Sequence, residues 1–394
     1  MPDLATLAGR HIVFFSWRDT KNPEGGGAER YLEKIAAGLV ARGCRVTIFC
    51  AAHAAASPVE VLDGVRYVRR GTKTSVYSWG LWMLLRKRFG RVDLVVDVQN
   101  GMPFLTRLVT RNPVIVLVHH VHREQWPVVY PGLAGRVGWW IESRLAPRLY
   151  RTSQYVAVSR ATRSELQGLG VTGRRIAVVH NGTDRAVPTR VGKAAAPTMC
   201  VVGRLVPHKQ VEHAIDSVLA LREEFPDIRL HVVGSGWWEA TLREHAEHRQ
   251  AGDTVVFEGH VDERRKNEVF ELSWLMVLPS LKEGWGLVVG EAGMHHTPTV
   301  AYRSAGGTRE SIADGRSGLL VDTPAELTEA LGTLIRDHCL RARLADGADL
   351  MSRRFTWEHA QLSFAHVVAA ALRGEQLEAE DAEEEWGVSS SRTR

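Results

Sequence analysis

The sequence predicts an α/β protein with two domains, each built on its own parallel sheet. Three features predict this class: the length, a regular alternation of apolar runs with helical patterns, and one break near the middle. At 394 residues the chain is longer than one ordinary core fills. Strands that alternate with helices are typical of right-handed βαβ units. We therefore expect a ligand cleft between two such domains.

The first half begins with an apolar strand and a glycine-rich turn. The turn, residues 23–27, precedes a helical pattern over residues 28–42. The apolar runs predict strands at residues 11–15, 46–50, 94–98, 114–118 and 155–158. We assign residues 1–186 to this domain.

The second half repeats the pattern after a linker at residues 187–197, where proline, glycine and alanine cluster. Its strands are expected at residues 198–202, 229–233, 254–257, 274–278 and 299–301. The second domain covers residues 198–354, and a helix follows at 355–373. The acidic tail, 374–394, is predicted to be disordered because it holds too little apolar surface to fold.

Composition excludes several classes of protein. The four cysteines are scattered, which suits a reducing cytoplasm, and no signal peptide or membrane-spanning run is predicted. Residues 1–190 hold 28 basic and 13 acidic side chains, and the remainder holds 22 and 32. The basic half is expected to meet an anionic partner, or else its charges are simply solvated. No nucleic-acid reader module is present.

Two glutamates flank a glycine-rich turn in the second domain. Glu283 lies in the turn after a predicted strand, and Glu291 lies in the helix predicted from residue 288. Both should therefore lie at the carboxyl edge of a sheet, where open α/β folds bind ligands. Carboxylates accept hydrogen bonds from hydroxyls, and a helix N-terminus favours an anion. This combination predicts a sugar-nucleotide site.

Two cations follow the first strand of the same domain. Arg204 and Lys209 come after Gly203, between a strand end and the next helix. A departing diphosphate needs fixed positive charge, which an arginine fork and a lysine ammonium supply. Taken alone, such residues are usually surface charges. The glutamate element in the same domain favours the functional interpretation.

Together these residues resemble the retaining family-4 glycosyltransferases of the GT-B fold. The resemblance extends over most of the chain and rests on segments that follow in a shared order. These segments are Gly25-Gly-Gly-Ala-Glu29, Val158-Ser-Arg-Ala-Thr162, His180-Asn-Gly-Thr-Asp184, Gly203-Arg204 with Lys209, the Glu283–Glu291 element, and Ala305-Gly-Gly-Thr-Arg-Glu310.

The resemblance implies a role for each matching residue. Glu283 is expected to hold donor-sugar hydroxyls, Glu291 the ribose, and Arg204 with Lys209 the diphosphate. His119, at the end of a strand, matches the family's histidine near the reacting sugar, and His120 is the alternative. The remaining residues of the predicted donor pocket are Gly26, Gly27, Gly203, Gly284, Trp285, Gly286 and Leu287.

The resemblance also implies the architecture and the reaction. It implies two Rossmann-like domains that face each other across a cleft, with the C-terminal helix crossing back to the N-terminal domain. The expected reaction is metal-independent transfer of a mannose- or glucose-type unit from a nucleotide-diphosphate sugar to a lipid, glycan or small molecule. No cofactor is expected. The resemblance favours front-face attack, and a covalent Glu283 intermediate stays open as the alternative.

Other functions fit the sequence less well. An inactive GT-B protein that only binds nucleotide sugars is the main alternative, and the intact charged residues argue against it. A dinucleotide-dependent enzyme is disfavoured because the G-x-G-x-x-G spacing is missing. A metal at the histidines near position 120 lacks further ligands. Two departures from the family, Gln210 and His295-His296, replace usual glycines near the donor pocket.

A possible membrane contact rests on two segments that combine tryptophan with basic residues. Residues 79–89 place Trp79 and Trp82 before Arg86-Lys87-Arg88, and Trp139-Trp140 precedes three further arginines. Such a segment can lie in a lipid interface, at the inner face of the membrane. The alternative is a helix packed on the sheet with a basic turn at its end. Both interpretations stay open.

Overall fold

The computed structural model describes residues 4–187, 189 and 191–378. These form two compact units, and the boundaries differ slightly from the predicted ones. The N-terminal unit comprises the chain up to Asn181 and the segment from Trp357 onward, and the C-terminal unit runs from Gly182 to Thr356. Part of the predicted linker, and the tail beyond residue 378, lie outside the described residues.

The N-terminal unit is built on an eight-stranded sheet in the order β3-β4-β2-β1-β5-β6-β7-β8. All neighbouring strands are parallel except β3 and β4, which form an antiparallel hairpin. The strands are β1 (His11–Phe15), β2 (Arg45–Cys50), β3 (Val59–Leu62), β4 (Val65–Arg69), β5 (Leu94–Gln99), β6 (Val114–Val118), β7 (Gln154–Ala157) and β8 (Ile176–Val178).

Helices flank this sheet, and most of them bury small or apolar residues. Val76, Gly80 and Leu84 are buried at helical spacing, for example, so the helix that carries them packs on the core. The helices are α1 (Gly27–Ala41), α2 (Val76–Leu85), α3 (Trp126–Val129), α4 (Leu133–Trp140), α5 (Ala146–Leu149) and α6 (Arg160–Gly168), with a π-helical turn at Ile141–Leu145 between α4 and α5.

The C-terminal unit has a six-stranded parallel sheet in the order β11-β10-β9-β12-β13-β14. Its strands are β9 (Thr198–Val202), β10 (Arg229–Val233), β11 (Val255–Gly259), β12 (Leu275–Leu278), β13 (Thr299–Tyr302) and β14 (Gly318–Val321). Its helices are α7 (Val211–Leu221), α8 (Glu239–His248), α9 (Glu263–Leu272), α10 (Leu287–Gly293), α11 (Thr308–Ser311), α12 (Pro324–Arg336) and α13 (His338–Arg354).

The last described helix, α14 (Trp357–Arg373), belongs to the N-terminal unit. It begins two residues later than predicted. It packs on α1, where the Gln361 side chain donates to the Lys34 carbonyl, and on β1, where Phe364 stacks on Phe14. The first residues of the predicted acidic tail continue along this unit: the backbone N–H of Leu377 donates to Gln154, and Arg163 pairs with Glu378. The prediction of a returning helix is confirmed.

The sequence predicted ten of the fourteen strands of the described residues, with bounds that differ by two residues at most. Two Rossmann-like parallel sheets are therefore confirmed. The prediction omitted the β3–β4 hairpin and two short edge strands, β8 and β14. No described helix is long and apolar enough to cross a membrane.

Candidate active site

The predicted donor residues lie where the strand order of the C-terminal sheet reverses. From β9 the chain continues to β10 on one side, whereas β12 lies on the other side of β9. Ligands of open α/β sheets bind at such a switch point, outside the carboxyl ends of the strands. The loops after β9 and β12 meet there, because the backbone N–H of Leu281 donates to the His208 carbonyl at 2.8 Å.

Lys209 and Glu283 contact each other at this point. The Lys209 ammonium lies 2.5 Å from Glu283 Oε1, and the side chains are 20% and 11% exposed. The same oxygen accepts a hydrogen bond from the hydroxyl of Ser280 at 2.7 Å, and Ser280 is fully buried. The site therefore holds an oriented carboxylate and an oriented cation side by side, which suits a ligand that carries hydroxyls and phosphate.

The glycine turn around Glu283 is held by its neighbours. Gly286 precedes α10 with a φ of 86°, a left-handed conformation that favours glycine. A Cβ on Gly307 would lie 2.1 Å from the Gly284 carbonyl oxygen, so only glycine allows these two backbone segments to approach. Trp285 is buried with its ring 4.7 Å from Phe355, and Leu287 begins α10. The Trp285 side chain thus anchors the turn.

Arg204 follows Gly203 on the loop after β9 and is half-buried. This loop is fixed to the next one, since the backbone N–H of Leu205 donates to Ser235 and that of Trp238 donates to Leu205. Gln210, one of the two departures from the family, has a φ of 48°, and His296 has a φ of 51°. Both residues thus occupy left-handed positions, which glycine adopts with less strain.

Glu291 lies on α10, and its side chain contacts a lysine that the sequence analysis did not identify. Lys266 on α9 places its ammonium 3.2 Å from Glu291 Oε1. In the sequence Lys266 ends the run Arg264-Arg265-Lys266, which is typical of a solvated helix face. Only the packing of α9 beside α10 distinguishes it.

In the N-terminal unit, His119 is buried directly after β6. Its ring packs edge-on against Tyr31 at 5.3 Å, and its Nε2 atom is buried without a hydrogen-bond partner among the described residues. Burial, with a smaller contribution from His122, lowers the pKa of His119 to about 3. His119 is therefore neutral at physiological pH.

The Val158–Thr162 segment follows the neighbouring strand β7 and contacts the backbone of His119. Ser159 caps α6 by accepting from the Thr162 N–H, and the Thr162 hydroxyl donates to the His119 carbonyl at 3.1 Å. His120 stacks on His122 at 4.1 Å and contacts Gln125. The structure thus separates the two candidate histidines: His119 is enclosed, and His120 belongs to a polar cluster.

The glycine turn before α1 is occupied by a buried carboxylate. The Gly26 N–H donates to Glu29 at 2.8 Å, and Glu29 also pairs with Arg18 at 2.7 Å. Glutamate three residues after an N-cap is the capping-box pattern, so the sequence contained this signal. In this conformation the Gly26 N–H is not available to a ligand, and Gly27 begins the helix.

The described residues contain no group of three or more histidine, cysteine, aspartate or glutamate side chains that could hold a metal ion. Lys209, Glu283 and Ser280 are thus brought together, as are Glu291 and Lys266 in the same unit. His119, His120, Gly26 and Gly27 belong to the other unit.

Two family patterns match consecutive parts of the chain. The pattern described as Glycosyltransferase Family 4 matches residues 25–187, and the pattern described as Glycosyl transferases group 1 matches residues 190–351. The chain belongs to the family-4 glycosyltransferases. This confirms the resemblance that the sequence motifs indicated, and the protein is a glycosyltransferase enzyme.

Similar proteins agree with this assignment. D-inositol 3-phosphate glycosyltransferase of Xylanimonas cellulosilytica is 28% identical, over 89% of this chain and 93% of that protein. Among solved structures, sucrose-phosphate synthase of Thermosynechococcus elongatus superposes with a TM-score of 0.75 at 17% identity, over 91% of this chain and 98% of that one. HepE of Anabaena, solved with UDP-glucose, has a TM-score of 0.72 at 20% identity, over 91% and 99%. These structures confirm the GT-B fold.

Proposed function

We propose that this glycosyltransferase moves a mannose- or glucose-type unit from a nucleotide-diphosphate sugar to an acceptor hydroxyl, with retention and without a metal. The observation that carries the proposal is the Lys209–Glu283 contact, with Ser280 on the same oxygen, at the switch point of the C-terminal sheet. A nucleotide sugar offers hydroxyls to the carboxylate and phosphate to the cation.

The proposed reaction is a front-face displacement. The bond between the anomeric carbon and the leaving phosphate oxygen breaks, and the acceptor oxygen forms its bond to the same face of that carbon. The acceptor proton moves to the leaving phosphate oxygen, so no protein base is required. Lys209 and Arg204 offset the charge that develops on the diphosphate, and this electrostatic term is the enzyme's main contribution.

Glu283 and His119 have supporting tasks in this scheme. Glu283 accepts hydrogen bonds from hydroxyls of the transferred sugar and fixes its orientation. His119, which is buried and neutral, offers an uncharged ring nitrogen to the reacting sugar. A neutral imidazole can form a hydrogen bond with a sugar hydroxyl, but it carries no positive charge to offset a phosphate.

Turnover with a donor panel tests the proposal. UDP-, GDP- and ADP-linked glucose and mannose are incubated with and without acceptors, and release of nucleoside diphosphate is followed. We expect slow hydrolysis of one donor without acceptor, and its loss in Lys209→Met and Glu283→Gln. Tight nucleotide binding without turnover over a broad acceptor panel would instead support the inactive binding protein.

The covalent route makes a different prediction. If Glu283 were a nucleophile, a glycosyl ester on Glu283 would accumulate with a slow donor, and peptide mass spectrometry would detect it. We expect no such ester. The product formed by the wild-type enzyme should keep the donor's anomeric configuration, which NMR of the first turnover measures.

The acceptor is proposed to be a lipid, a glycan or a small molecule. The name of the 28%-identical relative, D-inositol 3-phosphate glycosyltransferase, favours a small phosphorylated polyol as the first acceptor to test. The basic N-terminal half suits an anionic acceptor as well.

A membrane contact is proposed for the aromatic and basic face of the N-terminal unit. One side of α2 packs on the core, as the alternative interpretation expected. Trp79, Trp82 and Leu85 are exposed on another side, and Arg86-Lys87-Arg88 follow them. On α4, Leu133, Val137 and Trp140 are exposed at helical spacing. We infer that the enzyme works in the cytoplasm and binds the inner membrane face through these residues.

Vesicle flotation tests this contact. Vesicles in which about one lipid in three is anionic should bind the wild-type enzyme. They should not bind the double variant Trp79→Ser/Trp82→Ser. Trp237→Ser is the matched control, since Trp237 is also exposed but lies in the C-terminal unit. Equal flotation of the wild type and both variants would contradict the proposal.

A further inference from the structure

Lys266 joins two helices at the carboxyl edge of the C-terminal sheet. Its ammonium lies 3.2 Å from Glu291 Oε1 on α10 and 3.0 Å from Glu263 Oε2 at the start of α9. Burial alone lowers the pKa of a lysine, but the two carboxylates outweigh burial here and raise the pKa of Lys266. The lysine therefore stays charged beside Glu291.

The contact leaves half of the Glu291 carboxylate for a ligand. An ionised carboxylate has about four lone-pair positions on two oxygens, and Lys266 uses one of them on Oε1. Oε2 has no side-chain donor among the described residues. Glu291 is 20% exposed at its side chain, so a ligand can reach it.

We propose that Lys266 is a positioning residue for nucleotide recognition, which orients Glu291 to accept the ribose hydroxyls of a ribonucleotide. This proposal rests on the assignment of Glu291 to the ribose under the proposed function. It adds a specificity: the enzyme distinguishes ribonucleotides from deoxyribonucleotides through a carboxylate that Lys266 holds in place.

Two physical effects support this role. First, the ion pair limits the conformations of the Glu291 side chain, so less entropy is lost when the ribose binds. Second, the ammonium offsets the negative charge of Glu291, which otherwise repels an incoming diphosphate. Both effects act on binding of the nucleotide, whereas the displacement at the sugar does not involve Lys266.

Calorimetric titration of the full chain with matched nucleotides tests the proposal. The probes are UDP, GDP and ADP with their 2′-deoxy counterparts, and the variants are Lys266→Met, Lys266→Gln and Lys266→Arg. Arg264→Met is the matched control, because Arg264 lies on the same helix, is exposed and pairs with Glu268. Melting temperatures report whether each variant is folded.

We expect the wild type to bind its preferred ribonucleotide about tenfold more tightly than the deoxy form, as the loss of a hydrogen bond to a charged group implies. Lys266→Met and Lys266→Gln should reduce this ratio to about threefold or less, and Lys266→Arg should keep most of it. In turnover, Lys266→Met should raise KM and leave kcat nearly unchanged.

The outcomes separate this inference from the proposed function. If the wild type does not prefer the ribose form, the assignment of Glu291 to the ribose is wrong. If the wild type prefers it and folded Lys266→Met and Lys266→Gln keep the full ratio, the positioning role of Lys266 is overturned while the donor site stands.

Discussion

The carboxyl edges of the two sheets differ in how they treat charge. In the C-terminal unit, Lys209–Glu283 and Lys266–Glu291 are ion pairs with partly exposed side chains. In the N-terminal unit, the Glu29 carboxylate is buried and used by Arg18 and the Gly26 N–H, and His119 is enclosed and neutral. The C-terminal edge thus presents charges that a ligand can exchange for its own, whereas the N-terminal charges serve the fold.

The net charge of each half does not predict the charge at its strand ends. The C-terminal half is acidic overall, yet it carries the proposed diphosphate clamp, and the basic half carries a neutral histidine at its strand end. Local geometry decides the chemistry of a site, and summed charge affects steering and surface association. Four predictions test the contrast, from the largest expected effect to the smallest.

The largest effect is expected at the exchangeable ion pair. Lys209→Met and Glu283→Gln should each lower kcat/KM about 100- to 1000-fold, because each removes a group that is proposed to meet developing charge or to orient the sugar. Steady-state kinetics with the donor found in the panel measures this. Arg264→Met, which removes an exposed cation from the same unit, should stay within about twofold of the wild type.

The second effect concerns the turn that presents Glu283. Gly307→Ala brings a Cβ into the Gly284 carbonyl, so the unit should lose about 1–3 kcal/mol of unfolding free energy and the enzyme much of its donor affinity. Urea unfolding and a donor titration measure both. Gly168→Ala, where the added Cβ meets open space, is the control and should be neutral or slightly stabilising. Equal behaviour of the two variants would show that the close approach is unimportant.

The third effect is a pH dependence of stability to which His119, at the N-terminal edge, should contribute. The pKa of His119 is about 3 in the folded protein against an ordinary value of 6.5, so the unfolded chain binds the extra proton first as pH falls. Stability should therefore be lost between pH 6.5 and 3, by up to about 1.4 kcal/mol per pH unit.

Urea unfolding from pH 7 to pH 4.5 measures this loss. His119→Gln should reduce the slope of unfolding free energy against pH, whereas His248→Gln should not, because His248 is exposed. A slope that is unchanged in His119→Gln would mean that the buried imidazole is not the source.

The smallest effect concerns the two left-handed departures. The backbone of His296 has a φ of 51°, which is strained for a residue with a side chain. His296→Gly should relieve this strain. The relief should outweigh the entropy cost of glycine and raise the free energy of unfolding by up to about 1 kcal/mol. Thermal unfolding checks it, and Gln210→Gly should act likewise. Asp346→Ala, which removes the exposed partner of His296, is the control for the lost ion pair.

The sequence was sufficient for the architecture because long apolar strands alternate regularly with helices. It also contained a signal for the β3–β4 hairpin that the strand prediction did not use: Asp63-Gly64, with φ values of 49° and 78°, is the dipeptide typical of tight hairpin turns. The edge strands β8 and β14, of three and four residues, were not predicted.

For the site, the sequence identified the charged residues but not their pairing. Glu283 and Lys209 are 74 positions apart, and only the parallel order of β9 and β12 brings them together. Ser280 and Lys266 were not predicted, since a serine after a strand and a lysine in a basic run are common on surfaces. Their roles depend on distances that only the folded chain defines.

The central claim is that Lys209 meets the diphosphate and Glu283 meets the sugar. Calorimetric titration of wild type, Lys209→Met and Glu283→Gln with a nucleoside diphosphate and with its sugar conjugate tests it most directly. We predict that Lys209→Met weakens both ligands about tenfold or more. Glu283→Gln should weaken only the conjugate, and the bare diphosphate should bind as well or better because Lys209 is released from its partner. Equal weakening of both ligands in Glu283→Gln, or no change in Lys209→Met, would contradict the account.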